Sequence, residues 1–182
     1  MGAVILSTER LVLRPLELRD ADAFFEMRSS PENSQYLTRP RPETIDDATW
    51  EVQRLLGLIA KGSTIGWAIT LTDDDKLMGT IGLPRIDREH RQSSIAFELS
   101  RTAWGKGYVR EAIAPVLRYG FDALALHRIQ GEVDPRNARS LRVLESAGFR
   151  REGLLRENEW SNDQFVDTVI FSLLASDPWV FT

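Results

Sequence analysis

The chain of 182 residues contains no cysteine, which removes disulfides, thiolate metal sites and any cysteine acyl-enzyme from consideration. Histidine is scarce too. His90 lies in a charged run and His127 at a strand start, without the spacing of metal ligands, so no metal is expected. No apolar run approaches the roughly 20 residues needed to span a bilayer, and no basic segment followed by an apolar stretch opens the chain. A cytoplasmic protein with no membrane partner is the default expectation. Positive charge is also in short supply: a net charge of −4 and a pI near 5.3 argue against nucleic acid as a partner, although they leave room for a local basic patch. What is present is ordinary for a folded protein. Hydrophobic residues make up 42% and charged residues 27%, and the length suits one domain over residues 1–182.

Periodicity gives a coarse order of elements. Leu11 to Leu13 reads as a strand, Leu18 to Arg28 as a helix with Asp20 and Asp22 in its first turn, and Ser29 to Pro42, with its three prolines, as a loop able to line a substrate. Thr44 is expected to cap a helix running to Ala60. Thr64 to Leu71 and Leu77 to Leu83 form a hairpin, and Asp87 to Arg91 reads as a solvated charge run. Ile95 to Leu99 and His127 to Val133 are strands. Asn137 should cap a helix that Gly148 stops, and a last hairpin spans about Leu154 to Leu174 around Asn162 and Asp163. Strands separated by helices, with hairpins at each end, indicate an α/β (α+β) domain with a mixed, mostly antiparallel sheet of about seven strands covered by about four helices.

The most specific stretch is Arg101 to Ala112, where the strand ending at Leu99 turns into a helix. Val109, Ala112, Ile113, Val116, Leu117, Phe121 and Leu124 recur on that helix at three- and four-residue intervals. Pro115 within it should bend the helix, because the apolar period continues past it in phase. Gly105 and Gly107 flank Lys106 at its start. A helix start presents unpartnered N–H groups and the positive end of the macrodipole, and glycines remove the side chains that would keep an anion away. The plain alternative is a tight turn with a solvated lysine. Neither of two familiar nucleotide motifs fits: Tyr108 stands after the second glycine where a triphosphate loop has a Lys-Ser or Lys-Thr pair opening the helix, and Arg110 stands where a dinucleotide fingerprint has its third glycine.

This stretch resembles the coenzyme A pyrophosphate loop of the GNAT superfamily of N-acetyltransferases. Arg10-Leu11-Val12-Leu13-Arg14-Pro15 before an acidic helix start, Asn137-Ala138-Arg139-Ser140, and Glu145-Ser146-Ala147-Gly148-Phe149 carry the resemblance over nearly the whole chain. Within the superfamily the chain is similar to the RimJ/RimL branch of ribosomal-protein N-terminal acetyltransferases. Trp104 suits that branch, and Val109 departs from the usual Gly or Ala.

The resemblance implies acetyl-CoA as cosubstrate, with pyrophosphate on the amides of Gly105, Lys106, Gly107, Tyr108 and Val109. The strand ending at Leu99 and the strand around Glu132 would splay apart to admit the pantetheine arm, with N–H groups at the Leu99 end near the thioester oxygen. Asn137 would contact the coenzyme, and Ser140 would serve its sulfur. Both residues also have structural readings, as a helix cap and a first-turn hydroxyl. Three carboxylates compete as the base that takes the amine's proton: Glu98, Glu132 and Glu159. The resemblance places Glu159 where the closest branch has its base, and Glu132 where a neighbouring branch has one; a water chain is the remaining option. Convergence of all three would make the acceptor mouth negative. The expected activity is N-acetyl transfer by direct attack in a ternary complex. A primary amine at a peptide terminus is the expected acceptor, and a homodimer is an assembly the resemblance allows. A small-molecule acetyltransferase and a non-catalytic acyl-CoA-binding module are the alternatives.

Overall fold

The computed structural model describes residues 4–37, 39–161 and 163–178. Asn162 of the expected final turn lies outside them. Nine strands and five helices follow in order among the described residues: β1 (Leu6–Ser7), β2 (Leu11–Pro15), α1 (Ala21–Arg28), α2 (Pro31–Ser34), α3 (Ile45–Ala60), β3 (Thr64–Leu71), β4 (Gly79–Pro84), β5 (Gln92–Ser94), β6 (Ala96–Leu99), α4 (Tyr108–Arg118), β7 (Arg128–Val133), α5 (Ala138–Ser146), β8 (Arg150–Ser161) and β9 (Gln164–Leu174). The elements beyond the expected number are short ones: β1, β5 and the single turn α2 inside the proline-rich segment.

The strands form two sheets. One runs β1-β2-β3-β4-β6, antiparallel throughout; the other runs β5-β7-β9-β8, with β5 parallel to β7 and the rest antiparallel. β3 shows why the first sheet is covered on both faces. Trp67 and Ile69 join the core that α4 and α5 pack on, while Ala68 between them joins a second cluster with Phe24 and Met27 of α1 and Ala48 and Val52 of α3. Alternate side chains of a strand point to opposite faces, so a strand buried on both sides needs a layer over each. The larger cluster also takes in Ile129 and Val133 of β7 and Phe171 and Leu173 of β9, which joins the two sheets around one core.

Helix ends follow the local chemistry. Thr44 Oγ1 accepts from Asp47 N–H at 3.2 Å while Asp47 Oδ2 accepts from Thr44 N–H at 2.9 Å, a reciprocal cap that starts α3. Asn137 Oδ1 accepts from Ser140 N–H at 3.1 Å to start α5, and Gly148, at φ 87°, turns the chain out of it. α4 runs through Pro115 unbroken; its irregularity lies one turn later, in a π turn over Tyr119–Ala123.

One polar contact ties three strands of the second sheet. Arg128 of β7 donates to Glu152 of β8 at 2.9 and 2.6 Å, and Ser172 of β9 donates to the same carboxylate at 2.5 Å. The Arg128 and Ser172 hydrogen bonds pull the Glu152 carboxyl down to about 2. An unfolded glutamate titrates near 4.3, so this contribution is complete above that value and is lost as the pH falls toward 2. Urea midpoints measured across that range should fall less steeply for Glu152→Gln than for the parent.

Candidate active site

The open part of the fold arises where β5 becomes β6. Up to Ser94 the chain pairs with β7, and Ile95 N–H still donates to Gln130 O at 2.8 Å; from Ala96 onward it pairs only with β4 in the other sheet. β6 and β7 therefore diverge, with Glu98 on one and Glu132 on the other. Ser100 N–H donates to Met78 O at 2.7 Å, and backbone groups in an antiparallel pair alternate sides, so the N–H and C=O groups of Phe97 and Leu99 face away from β4 into the opening. Leu99 O shows this directly. It accepts from Trp104 Nε1 at 2.7 Å and from Asn33 Nδ2 at 2.9 Å.

Two cavities meet in this opening. The outer one, of about 660 Å³, runs past Leu99, Gly105, Gly107, Tyr108 and Val109 to the face of α5. The inner one, of about 310 Å³, lies between the diverging strands. Tyr36, Leu37, Phe97, Glu98, Asn137 and Ser140 line both, so Asn137 and Ser140 stand at their junction. A third depression, of about 790 Å³, borders the glycine loop from the other side, over Arg10, Glu111 and Pro115. Arg10 and Glu111 in its wall are paired with each other at 2.6 Å.

The loop is an N–H cradle. Gly105 and Gly107 have φ of 76° and 80°, and Gly107 is the residue before the first turn of α4. The first bond of that turn runs from Glu111 N–H to Gly107 O at 3.0 Å, which leaves the N–H groups of Tyr108, Val109 and Arg110 directed out of the helix start. Lys106 contributes through its backbone. Its side chain is exposed and lines none of the three cavities, while its carbonyl accepts from Arg10 Nη1 at 3.1 Å. Arg10 also bonds Glu111 and stands 4.8 Å over the Tyr108 ring, so it pins the loop from outside.

The basic patch that the overall charge left room for is here. Arg101, Arg110, Arg139 and Arg142 line the outer cavity. Arg101 is paired with Glu32; among the described residues the other three have no carboxylate partner, and Arg139 stacks 4.4 Å from the Trp104 ring. Reading α5 only for its apolar stripe missed Arg139 and Arg142. Their three-residue spacing, shared with Val143 and Ser146 at the next steps of the helix, is the signal that places them on one face.

The carboxylates are arranged differently from the expectation. Glu98 and Glu132 both line the inner cavity, and Glu159 lines neither cavity. Glu159 stands on the edge strand β8, opposite Val166 of β9 and beyond the Val133–Val169 pair where β7 ends. The end of β8 does approach the site: Ser161 Oγ donates to Leu37 O at 3.3 Å. Trp160 is exposed and packs edge-on against Phe165. Nor is the mouth simply negative. Glu98 receives Arg28 Nη1 on both oxygens, at 2.8 and 3.0 Å, and Glu132 Oε1 receives Arg85 at 2.6 Å and Gln130 at 2.9 Å. Glu132 Oε2 has no hydrogen bond among the described residues. No group of His, Asp or Glu that could hold a metal occurs among the described residues.

The fold is shared with known proteins. The pattern of the acetyltransferase (GNAT) domain matches residues 10–150. The chain is 37% identical over 172 residues to an uncharacterized N-acetyltransferase, p20, of Bacillus licheniformis, covering 94% of this chain and 97% of the relative. It is 26% identical to the [ribosomal protein uS5]-alanine N-acetyltransferase of Escherichia coli, covering 96% and 92%. Among solved structures it is similar to a spermidine N-acetyltransferase of Vibrio cholerae in complex with CoA and spermine, with a TM-score of 0.82, 25% identity and coverage of 93% and 98%.

Proposed function

Because this chain belongs to the GNAT acetyltransferase family and is an N-acetyltransferase of that type, we propose that its outer cavity binds acetyl-CoA and its inner cavity the acceptor amine. The observation that carries the reading is the meeting of the two cavities at Asn137 and Ser140, between strands that have parted and beside a helix start rich in free N–H groups. The residues present suit the coenzyme. The amides of Gly107 to Arg110, with Arg110, Arg139 and Arg142, supply donors and charge for phosphates. The open N–H and C=O groups of Phe97 offer partners to an amide-bearing arm. Leu99 O is already engaged, so it is Leu99 N–H that this strand end offers there.

Acetyl-CoA supplies the activated acyl group. Ser140 Oγ–H donates a hydrogen bond to the sulfur as negative charge builds on it, and Asn137 holds Ser140 in place through the helix cap. Glu132 takes the proton of the attacking amine at Oε2, the carboxylate oxygen of the inner cavity that no donor occupies. Direct attack in a ternary complex is the mechanism we propose, supported by the absence of a cysteine nucleophile and by two cavities that share Asn137 and Ser140. The acceptor we propose is an α-amine at a peptide terminus.

Calorimetry with acetyl-CoA followed by thiol release over a panel of amines tests the reading. Binding and turnover are expected. Absence of binding would remove the channel assignment, and binding without turnover on any amine would favour a non-catalytic module. Ser140→Ala should lower kcat roughly 100-fold, the scale of one lost transition-state donor, and leave CoA affinity within a few-fold.

A further inference from the structure

The inner cavity is an apolar chamber with balanced charge at its edge. Phe24, Leu55, Ile59, Ile65, Ile81 and Phe97 form much of its wall. Its volume of about 310 Å³ has room for one side chain or a short alkyl body rather than an extended substrate. Three carboxylates line it, and each already faces an arginine: Glu98 with Arg28 at 2.8 Å, Glu132 with Arg85 at 2.6 Å and Asp134 with Arg136 at 2.6 Å. The lining arginine Arg39 is likewise committed, to Glu51 at 2.6 Å. These partners are fixed to different degrees. Arg28 is 2% exposed and cannot leave Glu98 without stranding two charges, and Asp134 stays ionised against its burial because Arg136 and the backbone hold it.

From this balance we infer that the acceptor is a primary amine with a single positive charge on an apolar body, and that polyamines are poor substrates. The inference rests on the acetyltransferase reading of the two cavities. One ammonium finds Glu132 Oε2. A second would have to displace an arginine from its carboxylate or enter apolar surroundings unpaired, and a buried charge without a partner is strongly disfavoured. An apolar group gains by leaving water for the wall. Two sources share this chemistry: a peptide beginning with an apolar residue, and a small apolar amine.

Pentylamine and 1,5-diaminopentane separate the chemistry cleanly, since they differ in little but the second ammonium. The expected result is a kcat/KM at least tenfold higher for pentylamine. Peptides beginning with Leu should likewise exceed those beginning with Lys, and the faster of the peptide and free-amine arms identifies the source. Arg85→Gln, at an exposed position, frees Glu132 from its arginine and should narrow the gap between monoamine and diamine. Equal or better use of the diamine by the parent protein would overturn the inference. Calorimetric binding of the same two amines to the CoA complex reads the preference even without turnover. Failure to bind CoA at all would instead remove the channel assignment, so the two failures are distinguishable.

Discussion

Gly107→Val should weaken CoA binding by roughly 10- to 100-fold, whereas Lys106→Ala should change it by no more than a few-fold. The difference lies in the backbone. Gly107 sits at φ 80°, where an L-residue is disfavoured by about 1–2 kcal/mol and a β-branched one by more, and each 1.4 kcal/mol is a factor of ten. Space is not the obstacle: a Cβ at 107 would meet nothing nearer than the end of the flexible Arg10 side chain, at 3.7 Å. Valine would instead pull residue 107 toward negative φ and turn the N–H groups of Tyr108 to Arg110 away from a common focus. Lys106 keeps its carbonyl contact to Arg10 when its side chain is cut back. Calorimetry on the two variants checks this, with thermal unfolding of the ligand-free proteins to separate lost affinity from lost fold. Equal losses of affinity would refute the geometric argument.

The second large effect is expected at Glu132. Glu132→Gln retains an oxygen to accept from Arg85 and Gln130 but removes the negative charge and the ability to take a proton. General-base contributions of this kind are about 10² to 10⁴ in rate, and kcat/KM should fall by that order at neutral pH. The loss should shrink as the pH rises through the acceptor's own pKa, near 8 for an α-amine, because the amine then arrives unprotonated. Glu159→Gln, at a residue that lines neither cavity, should stay within a few-fold of the parent across the same range. A pH–rate profile for both variants decides between the carboxylates. The reverse pattern would return the role to Glu159, and parent-like rates in both would point to a water chain.

These two tests fall on opposite sides of what sequence reading can reach. Gly107 and its neighbours were legible because their roles depend on residues a few positions apart: glycines at a strand end, a helical period starting immediately after them, and Asn137 three residues before Ser140. The start of α3 was legible for the same reason, since Thr44 and Asp47 satisfy each other. The parting of the strands was not legible: Ile95 reads as the first residue of a strand, and β5 before it is not expected from the sequence. Its role as the break appears only when β5 and β6 are seen to pair in different sheets.

The sequence alone determined the starts of α3 and α5, the glycine turn that opens α4 and the absence of any thiol chemistry. Each of these depends on bonds or side chains that close within one turn of helix or one hairpin. The tertiary structure alone decided which carboxylates share a cavity and what neutralises them. Arg28 and Glu98 are 70 residues apart, Arg85 and Glu132 are 47 apart, and Glu159, which the family resemblance favoured as the base, stands on the edge strand and lines neither cavity. A charge on the chain has no partner until folding chooses one, so the number of acidic residues could not reveal whether the inner cavity would be negative or balanced.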